Sequence, residues 1–290
     1  MRFTATPRRR WRATLARAPL PLLAVALVLT GCGRDSTPAN ALPHSSAPVT
    51  APASPPPPPS SQPPTSLPPV PSQGLGAGDR GDAVRAVEAR LQELHFDVGS
   101  VDGVFDDNTT FAVQAFEKIT GLPRDGRVSE AVVDRLNTAQ PPPPLVAGGG
   151  TTRVEIDLSR QVLFLYENDA LSKILSVSTG TGERFCAKGD CGTAVTPAGA
   201  FRVDYSAQGW VESRLGRLYN PVYFFPREGI AIHGFMDVPP EPASHGCVRI
   251  PMSAAEWFPG KVPKGTPVYV LDGHTPIGPL APGDPGAAGP

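Results

Sequence analysis

Three kinds of hydrophobic spacing follow one another along the chain. The first is a short apolar block from about Leu20 to Leu29, preceded by Arg2, Arg8, Arg9, Arg10, Arg12 and Arg17 and followed by Thr30-Gly31-Cys32. Such a block is too short to span a bilayer, and a basic region, an apolar region and small residues before a cut describe a secretory signal. The second spacing is helical. Val84, Val87, Leu91 and Leu94 fall on one stripe with Arg85, Glu88, Arg90 and Glu93 turned outward, which predicts an amphipathic helix. A second helix is predicted from near Asn108, with Ala112, Ala115, Phe116 and Ile119 inward, and a third after Ser129, with Val132, Val133 and Leu136 inward. From Val154 the period falls to two. Val154, Ile156 and Leu158 alternate, and a nearly continuous apolar run from Val162 to Tyr166 lies between the turns Ser159-Arg160-Gln161 and Asn168-Asp169. Further strands are predicted near Leu171 to Ser178, Ala200 to Val203, Gly229 to His233, Cys247 to Ile250 and Pro267 to Leu271. Ser253-Ala254-Ala255-Glu256 has the form of a capping box opening a short helix through Trp257.

These changes of period divide the chain. Residues 1–31 read as the signal and 32–73 as a disordered stalk, because no Asp, Glu, Lys or Arg occurs from Ser36 to Gly78 and Pro55 to Pro59 is unbroken. In polyproline II, at about 3.1 Å per residue, such a stalk reaches on the order of 100 Å. Residues 74–140 form an all-α three-helix unit, 141–150 a Pro- and Gly-rich linker, 151–272 a mainly-β domain and 273–290 a disordered tail. Within the helical unit, Asp102-Gly103-Val104-Phe105 and Asp125-Gly126-Arg127-Val128 repeat one device: a glycine turn, an apolar anchor, then a helix start.

Composition narrows the function classes. A net charge of −1 with interspersed signs excludes the basic face of a nucleic-acid binder. The four cysteines separate by context. Cys186 and Cys191 stand five apart in a glycine-containing loop, where a disulfide is sterically feasible in an oxidising compartment; two free thiols or a metal site are the other readings. Cys247 is left alone near two histidines, and a free thiol in an exported protein is the leading candidate nucleophile. In Ile230-Ala231-Ile232-His233 alternation sends the isoleucines to one face and His233 to the other. In Cys247-Val248-Arg249-Ile250 it buries Val248 and Ile250 and leaves Cys247 with Arg249 opposite. Two neighbouring strands would thus present His233, Cys247 and Arg249 to one pocket, with the imidazole taking the thiol proton. Gly246 would admit substrate closely, and the amides around Gly246 and Cys247 would hold an oxyanion.

Several of these residues carry resemblances. Cys32 directly after Leu29-Thr30-Gly31 resembles the bacterial lipoprotein box, which implies diacylation of Cys32 and anchoring to the outer leaflet of the cytoplasmic membrane. Gly81, Val84, Leu91-Gln92, Leu94, Asp102-Gly103-Val104-Phe105, Ala112-Val113, Phe116, Gly121-Leu122 and Asp125-Gly126 resemble the peptidoglycan-binding domain of wall enzymes. Ile232-His233-Gly234 with Ser244-His245-Gly246-Cys247-Val248-Arg249 resembles the motif of the L,D-transpeptidase catalytic domain. Ser178-Thr179-Gly180, Thr196 to Phe201 and Tyr219 to Tyr223 support the match.

That resemblance implies a β-sandwich-like catalytic domain in a monomer without metal or cofactor. It implies Cys247 as nucleophile, His233 as proton acceptor and later donor held by the Gly234 carbonyl, His245 shaping the site, Ser244 bracing the loop and Arg249 meeting the substrate. The implied substrate is the peptidoglycan stem peptide and the implied product a 3→3 cross-link with release of D-Ala. An L,D-carboxypeptidase, a protein-to-peptidoglycan ligase and an inactive wall-anchoring lipoprotein remain as alternatives. So does a metallohydrolase using His233, His245 and Cys247, which activity insensitive to a chelator would dismiss.

Overall fold

The computed structural model describes residues 66–187, 189–274, 277–281, 284 and 286. The signal, Cys32 and the stalk as far as residue 65 lie outside them. The helical stripes form α1 (Asp82–Glu93), α2 (Asp107–Thr120) and α3 (Glu130–Thr138). Two starts are fixed by side chains on otherwise orphaned amides: Asp106 accepts from Thr109 N–H, and Ser129 from Val132 N–H. Glu88 departs from its expected outward place. It is fully buried, accepting from Gly103 N–H at 2.8 Å and from the Thr109 hydroxyl at 3.1 Å, because the first Asp-Gly turn leaves an amide inside that needs a partner. Glu117 does the same for Gly126 N–H at 2.9 Å in the second turn. The internal repeat therefore includes a buried glutamate on each of α1 and α2.

The β region comprises β1 (Arg153–Asp157), β2 (Val162–Glu167), β3 (Ala170–Ser176), β4 (Arg184–Ala187), β5 (Asp190–Thr193), β6 (Gly199–Arg202), β7 (Tyr205–Ser206) and β8 (Trp210–Ser213). It continues with β9 (Gly216–Phe225), β10 (Ile230–Gly234), β11 (Val248–Ile250), α4 (Met252–Lys261) and β12 (Pro267–Leu271). One sheet runs β3-β2-β1-β12-β6 and the second β11-β10-β9-β7, with β8 also on β9; β4 and β5 form a hairpin. Both larger sheets are mixed, since β1 with β12 and β10 with β11 are parallel. Val154, Ile156, Leu163, Leu165 and Val268 of the first sheet meet Val222, Phe224, Ile232, Val248 and Ile250 of the second in one core.

The unbroken apolar run in β2 has a physical reason. Leu163 and Leu165 face the second sheet, whereas Val162, Phe164 and Tyr166 enter a second core with Phe96, Phe105, Phe116 and Leu136 of the helical unit. A strand covered on both faces loses its polar alternation. The join is polar as well: Asp97 N–H donates to Ile174 O, Ile174 N–H to His95 O, and Lys173 pairs with Asp97 at 2.9 Å. The segment between the helices and β1 is also bound, with Val146 buried and Leu145 N–H donating to Glu155 at 2.7 Å. Of the described tail residues, Leu280 N–H donates to the Tyr269 hydroxyl, and Arg202 donates to the carbonyls of Ala281 and Asp284.

α4 differs from its expected form. It begins without a side-chain cap after Pro251 and continues past Pro259 to Lys261. Ser253 bonds Asn108 of α2 instead of capping, and Glu256 accepts from the Tyr219 hydroxyl at 2.6 Å. Pro259 has no N–H for the Ala255 carbonyl. Asn220 Nδ2 supplies the missing donor at 3.1 Å, so the helix survives its proline.

Candidate active site

β10 and β11 place the sequence-predicted residues. Ile232 lies beside Val248 and His233 beside Arg249. Neighbours across parallel strands share a face. The isoleucine and valine enter the inter-sheet core, and His233 and Arg249 project from the other side. Cys247, one residue before β11, packs on that side against Ala231, Leu218 and Tyr223. His233, Cys247 and Arg249 border a cleft of about 520 Å³ that also takes in His245, Ser244, Gly229 and the β8–β9 hairpin.

The loop carrying Cys247 is tied at every turn. Ser244 Oγ donates to the Cys247 carbonyl at 2.5 Å and accepts from Gly246 N–H at 3.0 Å. Thr196 Oγ1 donates to the Gly246 carbonyl at 2.6 Å and accepts from Gly180 N–H at 2.9 Å. Gly246 has φ of +135°, and a Cβ there would stand 2.8 Å from both Val195 O and Ile230 Cδ1. No side chain fits that position without moving main chain. Because Gly246 N–H is engaged by Ser244, it is not the free oxyanion donor expected from the sequence.

His233 is buried, with Nδ1 2.9 Å from the Gly234 carbonyl. A carbonyl only accepts, so Nδ1 carries the hydrogen and Nε2 presents its lone pair. Burial pushes the imidazole down to about 4; the Gly234 bond opposes the shift and the nearby Arg249 charge adds to it. Burial likewise pushes the Cys247 thiol up, against the Ala231 main chain and Arg249, which pull it down. The sulfur borders the cleft yet sits among packed neighbours, and its hydrogen points at the Gly229 carbonyl 3.6 Å away. At neutral pH the two groups rest as thiol and imidazole, both uncharged.

Arg249 is held at the margin, its guanidinium 4.2 Å over the Phe235 ring and 3.9 Å from the Asp237 carboxylate. His245 meets Phe185 edge to face at 4.7 Å. Phe185 lies in the β4–β5 hairpin, where Cys186 is opposite Cys191 and the two form a disulfide. No group of three His, Cys, Asp or Glu among the described residues is arranged to hold a metal ion.

Sequence reasoning missed the wall contributed by β8 and β9. Trp210 is 42% exposed at the rim, with Arg217 over its ring at 4.8 Å. Asn220 and Pro221 interrupt β9 in the sequence, and Asn220 itself adopts φ of +46°, so a ten-residue strand did not register as one. Thr196 is part of the Thr196 to Phe201 match, and the position of its hydroxyl between two loops is visible only in three dimensions.

The fold is a two-sheet sandwich packed against a three-helix unit, with a cysteine and a histidine bordering one cleft, and comparison with known proteins gives it a family. Residues 151–270 match the L,D-transpeptidase catalytic domain family and residues 80–136 the peptidoglycan binding domain family. An L,D-transpeptidase structure from Xylanimonas cellulosilytica is 37% identical, with a TM-score of 0.63 over 70% of this chain and 100% of that one. An L,D-transpeptidase from Stackebrandtia nassauensis is 22% identical, covering 71% and 100%, with a TM-score of 0.40. One from Mycobacterium tuberculosis is 19% identical, covering 42% and 58%, with a TM-score of 0.35. No curated protein matches the chain. The chain belongs to the L,D-transpeptidase family and joins its catalytic domain to an N-terminal peptidoglycan-binding domain.

Proposed function

We propose that the protein is a cysteine-dependent L,D-transpeptidase that forms 3→3 cross-links between peptidoglycan stem peptides. The observation that carries this reading is the shared face of β10 and β11, where Cys247, His233 and Arg249 border one cleft and His233 keeps Nε2 as a base.

Both groups start neutral, so proton transfer accompanies attack rather than preceding it. The Cys247 proton passes to His233 Nε2 while sulfur attacks the carbonyl carbon of the third stem residue, a diamino acid. The tetrahedral oxyanion is met by loop amides other than that of Gly246, the Cys247 amide first among them. Collapse breaks the bond to the terminal D-Ala, whose amine leaves with the proton from His233, and a thioester remains on Cys247. The side-chain amine of a second stem then attacks that thioester. Its proton returns through His233 to the sulfur, and the cross-linked dimer departs. Gly234 O holds the imidazole throughout, and Arg249 faces the incoming carboxylates.

Outside the described residues, diacylated Cys32 anchors the exported protein in the outer leaflet of the cytoplasmic membrane, and the Pro-rich stalk carries a monomeric enzyme into the wall. Incubation of the protein with disaccharide-tetrapeptide, read by mass spectrometry, tests the reaction. A dimer formed with loss of one D-Ala supports it. Loss of D-Ala with gain of water instead identifies a carboxypeptidase, and unchanged substrate contradicts both.

A further inference from the structure

Lys118 belongs to α2 of the peptidoglycan-binding domain, yet only 3% of it is exposed and its ammonium ends inside the catalytic domain. Nζ donates to Gln161 O at 3.0 Å, Ser176 Oγ at 2.7 Å and Val177 O at 3.0 Å. A buried ammonium is tolerated only where acceptors replace its water, and all three of its donors are matched here. Its three acceptors lie where the chain leaves β3 and where the β1–β2 turn ends.

From there the bonds continue inward. Gln161 holds φ of +62°, and its side chain accepts from Thr179 N–H at 2.8 Å and donates to Thr179 Oγ1 at 2.8 Å. The Thr179 carbonyl accepts from Ser244 N–H at 2.9 Å and Ala243 N–H at 3.0 Å. Ser178 exchanges both main-chain bonds with Arg249, at 2.9 and 3.2 Å. The segment 176–179 thus clamps the Cys247 loop at its entrance, Ser244, and at its exit, Arg249. Gln161, Ser176, Ser178, Thr179 and Ser244 are all buried. Water has little access to replace a lost link.

We propose that Lys118 is a positioning residue for the reaction: acting from the binding domain through Gln161 and Thr179, it sets the main-chain segment that presents Cys247. The catalytic loop is then complete only with the helical unit docked. Burial pushes the Lys118 ammonium down to about 7, Arg124 adding to the fall and Glu241 and Glu117 opposing it.

This inference rests on the reading that Cys247 is the nucleophile, and the test separates the two. Acylation of Cys247 by a carbapenem, a reaction implied by the resemblance of the site to the L,D-transpeptidase motif, is followed by intact mass, and alkylation by iodoacetamide is followed in parallel, in the wild type, Lys118→Met and Lys173→Met. Lys173 crosses the same domain join through Asp97 but touches neither Gln161 nor segment 176–179. Lys118→Met is expected to slow acylation about tenfold or more, since a small displacement of a reacting group is costly. Iodoacetamide needs no oxyanion site, so its rate should stay within about twofold. Lys173→Met should acylate at the wild-type rate, and the pH dependence of acylation near neutrality should flatten in Lys118→Met alone.

Equal acylation rates in Lys118→Met and wild type, or equal losses in Lys118→Met and Lys173→Met, would overturn the positioning role. If Lys118→Met does not fold, Lys118→Gln, which keeps an N–H donor, is read the same way; failure of both beside a folded Lys173→Met would make Lys118 structural only and also overturn it. A wild type that never acquires mass on Cys247 would instead contradict the nucleophile.

Discussion

Replacing Gly246 by Ala puts a methyl group in place of a hydrogen beside Cys247, and the structure sets what that costs. The backbone there holds φ of +135°, which disfavours any side chain by about 1–3 kcal/mol. The new Cβ would also lie 2.8 Å from Ile230 Cδ1 and from Val195 O. Ile230 can turn its terminal methyl aside, but Val195 O is main chain in a segment anchored by Val195 N–H to Thr193 O and by the neighbouring Ala194 N–H to Glu183 O. Gly246 cannot retreat either, because its own carbonyl is held by Thr196 at 2.6 Å. Overpacking of this kind adds about 1–3 kcal/mol. A total near 4 kcal/mol corresponds to a fall in Tm of about 8–16 °C for a folded region of this size. Displacing Cys247 by even about 1 Å would lower kcat on the order of 100-fold. Differential scanning calorimetry and the tetrapeptide assay read the two effects. A Gly246→Ala protein with unchanged Tm and full activity would refute the packing argument at the loop.

Other consequences follow from the buried groups. The neutral His233 contributes stability above its unfolded value of about 6.5, and that contribution, about 3 kcal/mol, is lost as pH falls through that value toward about 4. Urea titrations from pH 8 to pH 4 should therefore show a steeper loss for the wild type than for His233→Phe, and equal losses would contradict the neutral imidazole. Glu117 is pushed up to about 8, chiefly by burial and also by Asp125, so folding keeps it protonated; stability should fall as pH rises from about 4.5 to about 8. Glu117→Gln, which removes the ionisation, should raise Tm more at pH 8 than at pH 5, and a gain independent of pH would exclude this cause. Asn220→Ala leaves the carbonyl of Ala255 and the N–H of Gly209 without their partner, at a cost of about 2–3 kcal/mol by chemical denaturation. In the Pro259→Ala background, where Ala255 regains a helical donor, the cost should shrink; an unchanged cost would contradict the rescue of α4.

The sequence disclosed the site better than it disclosed the frame around it. Alternation placed His233 and Arg249 on one face without knowledge that β10 and β11 are neighbours, because a period of two is a property of each strand alone. The three helix stripes were equally local. What escaped depended on partners far along the chain. Glu88 reads as a surface residue until the first Asp-Gly turn delivers Gly103 N–H to it, and Ser253 reads as a cap until α2 brings Asn108. The continuous run in β2 gave no hint that a helical unit covers one of its faces, so the two domains looked separable where they share a core. β9 was hidden by Asn220 and Pro221, and with it the wall of the cleft.

Trapping of the acyl-enzyme decides whether Cys247 is the nucleophile. The protein is mixed with disaccharide-tetrapeptide, quenched in acid, and its intact mass and Cys247-containing peptide are measured for the wild type and Cys247→Ala. An adduct of the donor stem less D-Ala is expected on Cys247 in the wild type, chased into cross-linked dimer by added acceptor stem, with neither adduct nor dimer in Cys247→Ala. Dimer formation by Cys247→Ala, or an adduct on any other residue, would contradict a nucleophilic Cys247.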